Sequence, residues 1–289
     1  MTLASSVLMV RPAAFGYSEE AAASNAFQEA PVDSAPLVQA RALEEFDAMV
    51  VQLRGEGIHV IVADDSHVPA KPDAVFPNNW VSCQPDGRRI VYPMAVPPRR
   101  AERRDEVLDL LGGDVTDLSG LEADGRFVEG TGSMVFDHAA RVAYACRSPR
   151  TTDEGVRRVC ATIGYEPMLF DCALDGQAVY HTNVVLGLTP RAAVWFGEGA
   201  GEGRSVVEAR LADSGRRVVQ LTEGQVRAYC GNLLALNGAS GPVTVLSDTA
   251  WAAFAPGQRE ALGRVLIVRV PTIERVGGGG ARCMMAEVW

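Results

Sequence analysis

Ser133-Met134-Val135-Phe136-Asp137-His138-Ala139-Ala140-Arg141-Val142-Ala143-Tyr144-Ala145 is the stretch from which the architecture can be read. Two apolar runs, residues 133–136 and 142–145, flank a polar turn at 137–140, which predicts a β-hairpin. Helical periodicity follows over residues 153–163. The same layout recurs on both sides. Upstream, a hairpin over 80–92 turns at Gln84-Pro85-Asp86-Gly87 and leads to a predicted helix over 99–111. Downstream, strands 183–188 and 192–196 flank Thr189-Pro190-Arg191 and precede a predicted helix over 202–212. Strands 233–236 and 243–246 flank Asn237-Gly238-Ala239-Ser240-Gly241 and precede a predicted helix over 248–254. A further strand follows each helix, as at 265–270. Ahead of all these lie a predicted helix over 36–53 and a strand over 58–62.

The hairpins begin at Asn79, Gly132, Asn183 and Asn232, and the last segment begins at Cys283; the spacings are 53, 51, 49 and 51 residues. A near-constant period of this length signals internal repetition. It would suit an all-strand propeller, but a helix in every unit argues against blades made only of strands. Units that each bury one helix against a small sheet can close into a ring, which would bring equivalent hairpin starts together near its axis. The expected fold is mixed α/β, with residues 1–289 forming one domain.

Composition narrows the function. A net charge of −9 without an uninterrupted basic cluster argues against nucleic acid or an anionic membrane as partner. No apolar run approaches the roughly 18 residues of a membrane span, and residues 1–10 lack the basic start of a signal peptide. Six scattered cysteines, with no CxxC pair and no histidines at metal-ligand spacing, fit reduced thiols in a cytoplasm and no metal site.

Chemistry-bearing residues fall at the hairpin starts. In Gly277-Gly278-Gly279-Gly280-Ala281-Arg282-Cys283-Met284-Met285, four glycines that can approach a ligand closely deliver one thiol. Cys283 reads as a nucleophile for a small planar carbon, or as a small buried hydrophobe. Glu129, in Phe127-Val128-Glu129-Gly130-Thr131-Gly132-Ser133, suits a general acid/base, a holder of a cationic group, or a turn-capping acid. His181 stands directly before an apolar strand, where it can shuttle protons near neutrality or serve structure alone. In Pro72-Asp73-Ala74-Val75-Phe76-Pro77-Asn78-Asn79-Trp80, Asp73 can bind an N–H-rich group and the asparagines both donate and accept; the alternative is an Asx-rich turn around a packed tryptophan. Gly231-Asn232 reads as a turn, His138 as an exposed turn residue, and 197–203 as a flexible loop with no GKS/T to make a phosphate cradle.

Taken in order, Pro-Asp-Ala-Val-Phe-Pro-Asn-Asn-Trp, Val-Glu-Gly-Thr-Gly-Ser, His-Thr-Asn-Val and Gly-Gly-Ala-Arg-Cys-Met make the chain resemble the guanidino-group modifying superfamily. That superfamily includes arginine deiminase, dimethylarginine dimethylaminohydrolase and the amidinotransferases. The citrulline-utilisation hydrolase branch is the most similar, through Met9-Val10-Arg11-Pro12-Ala13-Ala14-Phe15-Gly16 and residues 92–104 as well. The resemblance implies a five-bladed α/β propeller (pentein) of ββαβ units. It implies Cys283 as nucleophile, His181 as general acid/base and Glu129 as the acid that binds substrate, with no cofactor. Asp73 matches a substrate-binding aspartate, and Arg99 is placed as a bidentate clamp on a substrate carboxylate.

Two departures bear on substrate. Arginine deiminases carry aspartate where this chain has Asn79 and Asn183. Asparagines suit a neutral ureido group, which offers a carbonyl and N–H donors, so citrulline is favoured over arginine. The implied partner is thus a small ureido or guanidino amino acid, and a homo-oligomer is compatible with the sequence. Two other readings are an amidinotransferase, which would pass the group to an amine, and a non-catalytic binding protein on the same scaffold.

Overall fold

Repetition of one small wiring diagram organises the chain in the computed structural model, which describes residues 3–289. Strand β1 (Ser6–Arg11) runs parallel to β2 (His59–Asp64), with Met9 opposite Val62. Next, β3 (Val81–Cys83) lies antiparallel to β4 (Arg89–Val91), which runs parallel to β5 (Val115–Asp117). The hairpin quoted above forms β6 (Met134–Asp137) and β7 (Val142–Cys146), Val135 opposite Tyr144, with β8 (Glu166–Phe170) added in parallel. After a short ribbon of β9 (Ala173–Leu174) and β10 (Gln177–Ala178), the pattern returns twice. It appears as β11 (Leu186–Leu188), β12 (Ala192–Trp195) and β13 (Arg217–Gln220), then as β14 (Leu234–Gly238), β15 (Gly241–Ser247) and β16 (Val265–Val268). Strand β17 (Ala286–Val288) adds antiparallel to β1, so the first sheet gains the same order from both ends of the described chain. Among the described residues no ladder joins one sheet to the next, and no barrel closes.

Helices follow from pattern and caps. After the short α1 (Glu19–Ala22), helix α2 (Ala35–Gly55) turns Val38, Ala42, Phe46, Met49 and Leu53 inward at three- and four-residue spacing. The predicted helix over 99–111 is two pieces. Pro97 and Pro98 start a 3₁₀ turn over Pro97–Glu102, the chain becomes extended at Arg103 and Arg104, and only then does α3 (Asp105–Leu111) begin, with Asp105 and Glu106 in its first turn.

One turn of helix, α4 (Gly130–Ser133), precedes β6, and α5 (Asp153–Ile163) follows β7 with Thr152 capping its start through Gly155 N–H. The expected loop at 197–203 is an ordered 3₁₀ segment that leads into α6 (Arg204–Asp213). Short α7 (Glu223–Arg227) carries a capping box, and the helix expected at 248–254 is α8 (Asp248–Ala253) followed by a second, α9 (Pro256–Leu262). The last helix, α10 (Pro271–Gly277), ends on Gly278 in the left-handed region (φ 63°), which turns the glycine run towards Cys283.

The arrangement that positions the site is repeated too. A single helical turn stands before the first strand of four units: Pro77–Asn79 before β3, α4 before β6, Thr182–Val184 before β11 and Ala281–Met284 before β17. The turn at Pro77–Asn79 touches both α4 and the turn at Ala281–Met284, while α4 also touches Thr182–Val184. All six cysteines are unpaired, and no helix among the described residues is long and apolar enough to cross a membrane. His138, expected in an exposed turn, is half-buried and bonded through Nδ1 to Tyr165 Oη at 2.7 Å.

Candidate active site

Glu129 enters α4 with its side chain wholly buried. Its Oε1 accepts from Ala95 N–H (3.0 Å), and its Oε2 accepts from His181 Nε2 (2.9 Å) and Arg150 Nη1 (3.4 Å). Burial alone would raise this carboxyl; Arg150, the His181 bond and Arg99 outweigh it and hold Glu129 well below the usual carboxylate range. An ionised carboxylate only accepts, so the shared proton sits on His181 Nε2 and the lone pair on Nδ1. Burial pushes His181 down to about 4 against the opposing pull of Glu129, which leaves a neutral imidazole at pH 7. Gly132 passes beneath the ring: a Cβ there would lie 2.7 Å from His181 Nδ1 and 2.6 Å from Asn79 Nδ2.

Cys283 sits in the turn Ala281–Met284 and is buried. Two amides donate to its Sγ, Asn232 Nδ2 at 3.1 Å and Asn183 Nδ2 at 3.5 Å. Asn232 is oriented by accepting Arg282 N–H at its Oδ1 (3.0 Å). Burial raises the thiol, while Asn232, Arg282 and Asn183 pull it back. The group therefore rests protonated, with donors already aimed at the thiolate that would replace it.

Cys283 and His181 line one small cavity, together with Asp73, Asn79, Arg99 and Arg150. Asp73 is buried; its Oδ1 accepts Gln28 Nε2 (3.1 Å), and burial, only partly offset by Arg99 and Arg150, raises its carboxyl. Arg99 departs from expectation. Its Nε and Nη2 donate to the two oxygens of Glu102 (2.7 and 2.9 Å), and its Nη1 to Asn79 Oδ1 (2.8 Å), so its fork is engaged within the protein. Burial raises Glu102 to about 7 despite that pair. Asn79, with its oxygen on Arg99 and its Nδ2 on Asn78 Oδ1 (3.2 Å), is likewise occupied. Arg150 reaches across to Ser24 Oγ (2.8 Å) and Ala21 O (2.6 Å) and lies over the Tyr180 ring at 5.2 Å.

The structure thus gathers Cys283, His181, Asp73, Asn79 and Arg99 on one cavity, with Glu129 behind His181 and Asn183 behind Cys283. Asn232, Arg150 and Gln28 were not singled out from sequence as site residues. Asn232 had a signal, since it occupies the same place in the period as Asn79 and Asn183. Arg150 and Gln28 stand in no motif. Among the described residues, no group of three or more His, Cys, Asp or Glu side chains is arranged to hold a metal ion.

Fold and site together define a class, the guanidino-group modifying enzymes of the amidinotransferase superfamily. The family model described as N,N dimethylarginine dimethylhydrolase, eukaryotic, matches residues 11–289, and the chain belongs to that family of hydrolases acting on guanidino C–N bonds.

Among solved structures, the chain is similar to the arginine dihydrolase ArgZ of the ornithine-ammonia cycle in cyanobacteria, at 18% identity and a TM-score of 0.76. That match covers 98% of this chain and 40% of the other. The chain thus spans less than half the length of that ArgZ chain. Against the ArgZ N-terminal domain, solved as a cysteine-to-serine mutant bound to substrate, coverage is 98% and 97% at 18% identity with a TM-score of 0.75. A dimethylarginine dimethylaminohydrolase, solved as the adduct of a histidine-to-glycine variant with S-methyl-L-thiocitrulline, matches at 18% identity with a TM-score of 0.69, covering 99% of this chain and 100% of that one. Comparison with curated protein sequences gives no match.

Proposed function

We propose that residues 1–289 form one catalytic domain, a five-bladed α/β propeller whose hairpin starts meet at its centre. It hydrolyses the guanidino carbon of an arginine-like amino acid through a thiol adduct on Cys283. The observation that carries this reading is one cavity that holds a thiol under two amide donors and a neutral imidazole fixed by a buried carboxylate. A guanidinium entering there meets Asp73 and the Glu129–His181 pair, and its charge favours the thiolate. Cys283 Sγ then attacks the planar carbon while His181 takes the thiol proton. The C–N bond breaks, and the leaving nitrogen departs as ammonia or an amine with that proton. Water, deprotonated by the same imidazole, attacks the adduct and expels the thiolate. Glu129 keeps the imidazole in one tautomer and steadies its charged form. Arg150 adds positive charge to the cavity wall, while Arg99 is held by Glu102 and Asn79 and acts by fixing Asn79.

The ureido group of citrulline is the second substrate reading. It is favoured by Asn183, whose buried Oδ1 has no hydrogen-bond partner among the described residues and stands where an aspartate would add charge. Asn79, the other residue behind that expectation, is held by Arg99 and Asn78. Six unpaired cysteines are consistent with a cytoplasmic protein.

The test is incubation with arginine, citrulline, agmatine and dimethylarginine, following ammonia and the amine product by mass spectrometry, with and without glycine or lysine as acceptors. Hydrolysis is expected for at least one of them and unaffected by the added amines. An amidino group recovered on glycine or lysine would make the protein a transferase instead.

A further inference from the structure

Arg282 stands immediately before the nucleophile, yet its side chain belongs to a different cavity. Cys283 lines the cavity of the site, whereas Arg282 lines a second one that shares no lining residue with the first. Its backbone ties the turn Ala281–Met284 on both flanks: Arg282 N–H donates to Asn232 Oδ1 (3.0 Å), and Arg282 O accepts from Met285 N–H (3.2 Å). The buried guanidinium returns to the same place, Nη1 donating to Met285 O (2.9 Å) and Nη2 to Glu287 Oε2 (3.1 Å). Glu287 is itself held in β17, opposite Val7 of β1. One ion pair therefore anchors the turn that carries the sulfur to a sheet.

A neutral hydrogen-bonding side chain would fasten the turn as well, at a smaller desolvation cost. What the ion pair adds is a field, and in a buried setting a charge on the neighbouring residue reaches the sulfur with little screening. Burial raises the thiol, and after the Asn232 bond the Arg282 charge is the largest pull against it. We infer that Arg282 is a positioning residue for the nucleophile: its backbone aims Asn232 at the sulfur, and its guanidinium, with Glu287 as counter-charge, sets the field at Cys283 Sγ. This rests on the hydrolase reading above and deepens it, since neither side chain lines the cavity where substrate would bind. Facing the thiol from other elements are His181, Asp73, Arg99, Arg150, Tyr180 and Tyr229; facing the pair are His138, Cys83 and Tyr165. All of these are retained in the variants below, so a shift between profiles belongs to the pair.

The experiment follows alkylation of Cys283 by neutral iodoacetamide between about pH 7 and 10 in the wild type, Glu287→Gln, Arg282→Gln and Arg282→Lys. Turnover of arginine, citrulline, agmatine and dimethylarginine is measured beside it. The thiolate is the negative form, so removing the Glu287 charge should speed alkylation near neutrality at least about twofold and move the profile to lower pH. Removing the guanidinium should slow it at least about threefold and move the profile to higher pH. Opposite signs from the two halves of one ion pair are the mark of a field; a merely structural tie would give the same sign in both. Arg282→Lys keeps the charge and should restore most of the wild-type profile. Should Arg282→Gln fail to fold, Glu287→Gln and Arg282→Lys decide. Slowing in both Gln variants, or no shift in either, overturns the inference and leaves the hydrolase reading to the turnover assay. Opposite shifts with no turnover of any of the four substrates by the wild type would uphold the field at the sulfur and remove the hydrolase reading.

Discussion

Cys283 illustrates how neighbouring side chains set the reactivity of one atom. Its Sγ receives hydrogen bonds from two neutral amides, which stabilise a thiolate without bringing a charge that would create one. Burial still holds the thiol above its ordinary range. The sign of the pH dependence follows: the reactive thiolate fraction grows as pH rises and levels only above the raised pKa. Alkylation of Cys283 by neutral iodoacetamide should therefore climb through and beyond pH ~8.5, the ordinary thiol value. Asn232→Ala, which removes the shorter of the two bonds, should slow it several-fold at pH 8. A rate that is flat from pH 6 upward, read by mass spectrometry, would mean a preformed thiolate.

At this scale the sequence exposed the residues with distinctive chemistry. Cys283, His181 and Glu129 stand out by residue type and by position in the period. Asn232 looks like any Gly-Asn turn, because its role lies in a bond to a residue 51 positions away. Arg99 shows the converse: its type and place fit a clamp, but Glu102, three residues on, takes the fork.

Single helical turns before the first strands are the elements that matter most. Each is too short to be stable alone and exists because the strand behind it and the neighbouring turns fix it. That is why periodicity did not reveal them. The longer helices were legible where cap and apolar stripe agree, as in α5 between Thr152 and Gly164. The helix expected over 99–111 is interrupted at Arg103 and Arg104, where the 3₁₀ turn begun by Pro97 and Pro98 gives way to extended backbone.

In α4 the packing is close enough to test. Gly132→Ala places a methyl group against His181 Nδ1 and Asn79 Nδ2. It should lower stability by about 1–3 kcal/mol and reduce kcat at least about tenfold by displacing the imidazole. Urea unfolding and steady-state turnover would check it; wild-type values in both would show that the turn has room to spare.

Across the whole molecule, five sheets of one wiring put side chains from positions 25 to 283 around one cavity. The spacing of about 50 residues made this arrangement readable, since only convergence gives repeated polar starts a common purpose. Less readable was the first sheet. Its hairpin is split between the two ends of the described chain, β1 near one and β17 at the other, so no local pattern announces it.

The covalent claim depends on this convergence, because the thiol, the imidazole and the carboxylate come from three different units. Acid quenching during turnover of arginine and citrulline, followed by peptide mapping, examines it without intermediaries. The peptide containing Cys283 should carry the mass of the captured carbon unit in the wild type and lose it in Cys283→Ser, which should also be inactive. Undiminished hydrolysis in Cys283→Ser, or turnover with the adduct on another residue, would contradict it.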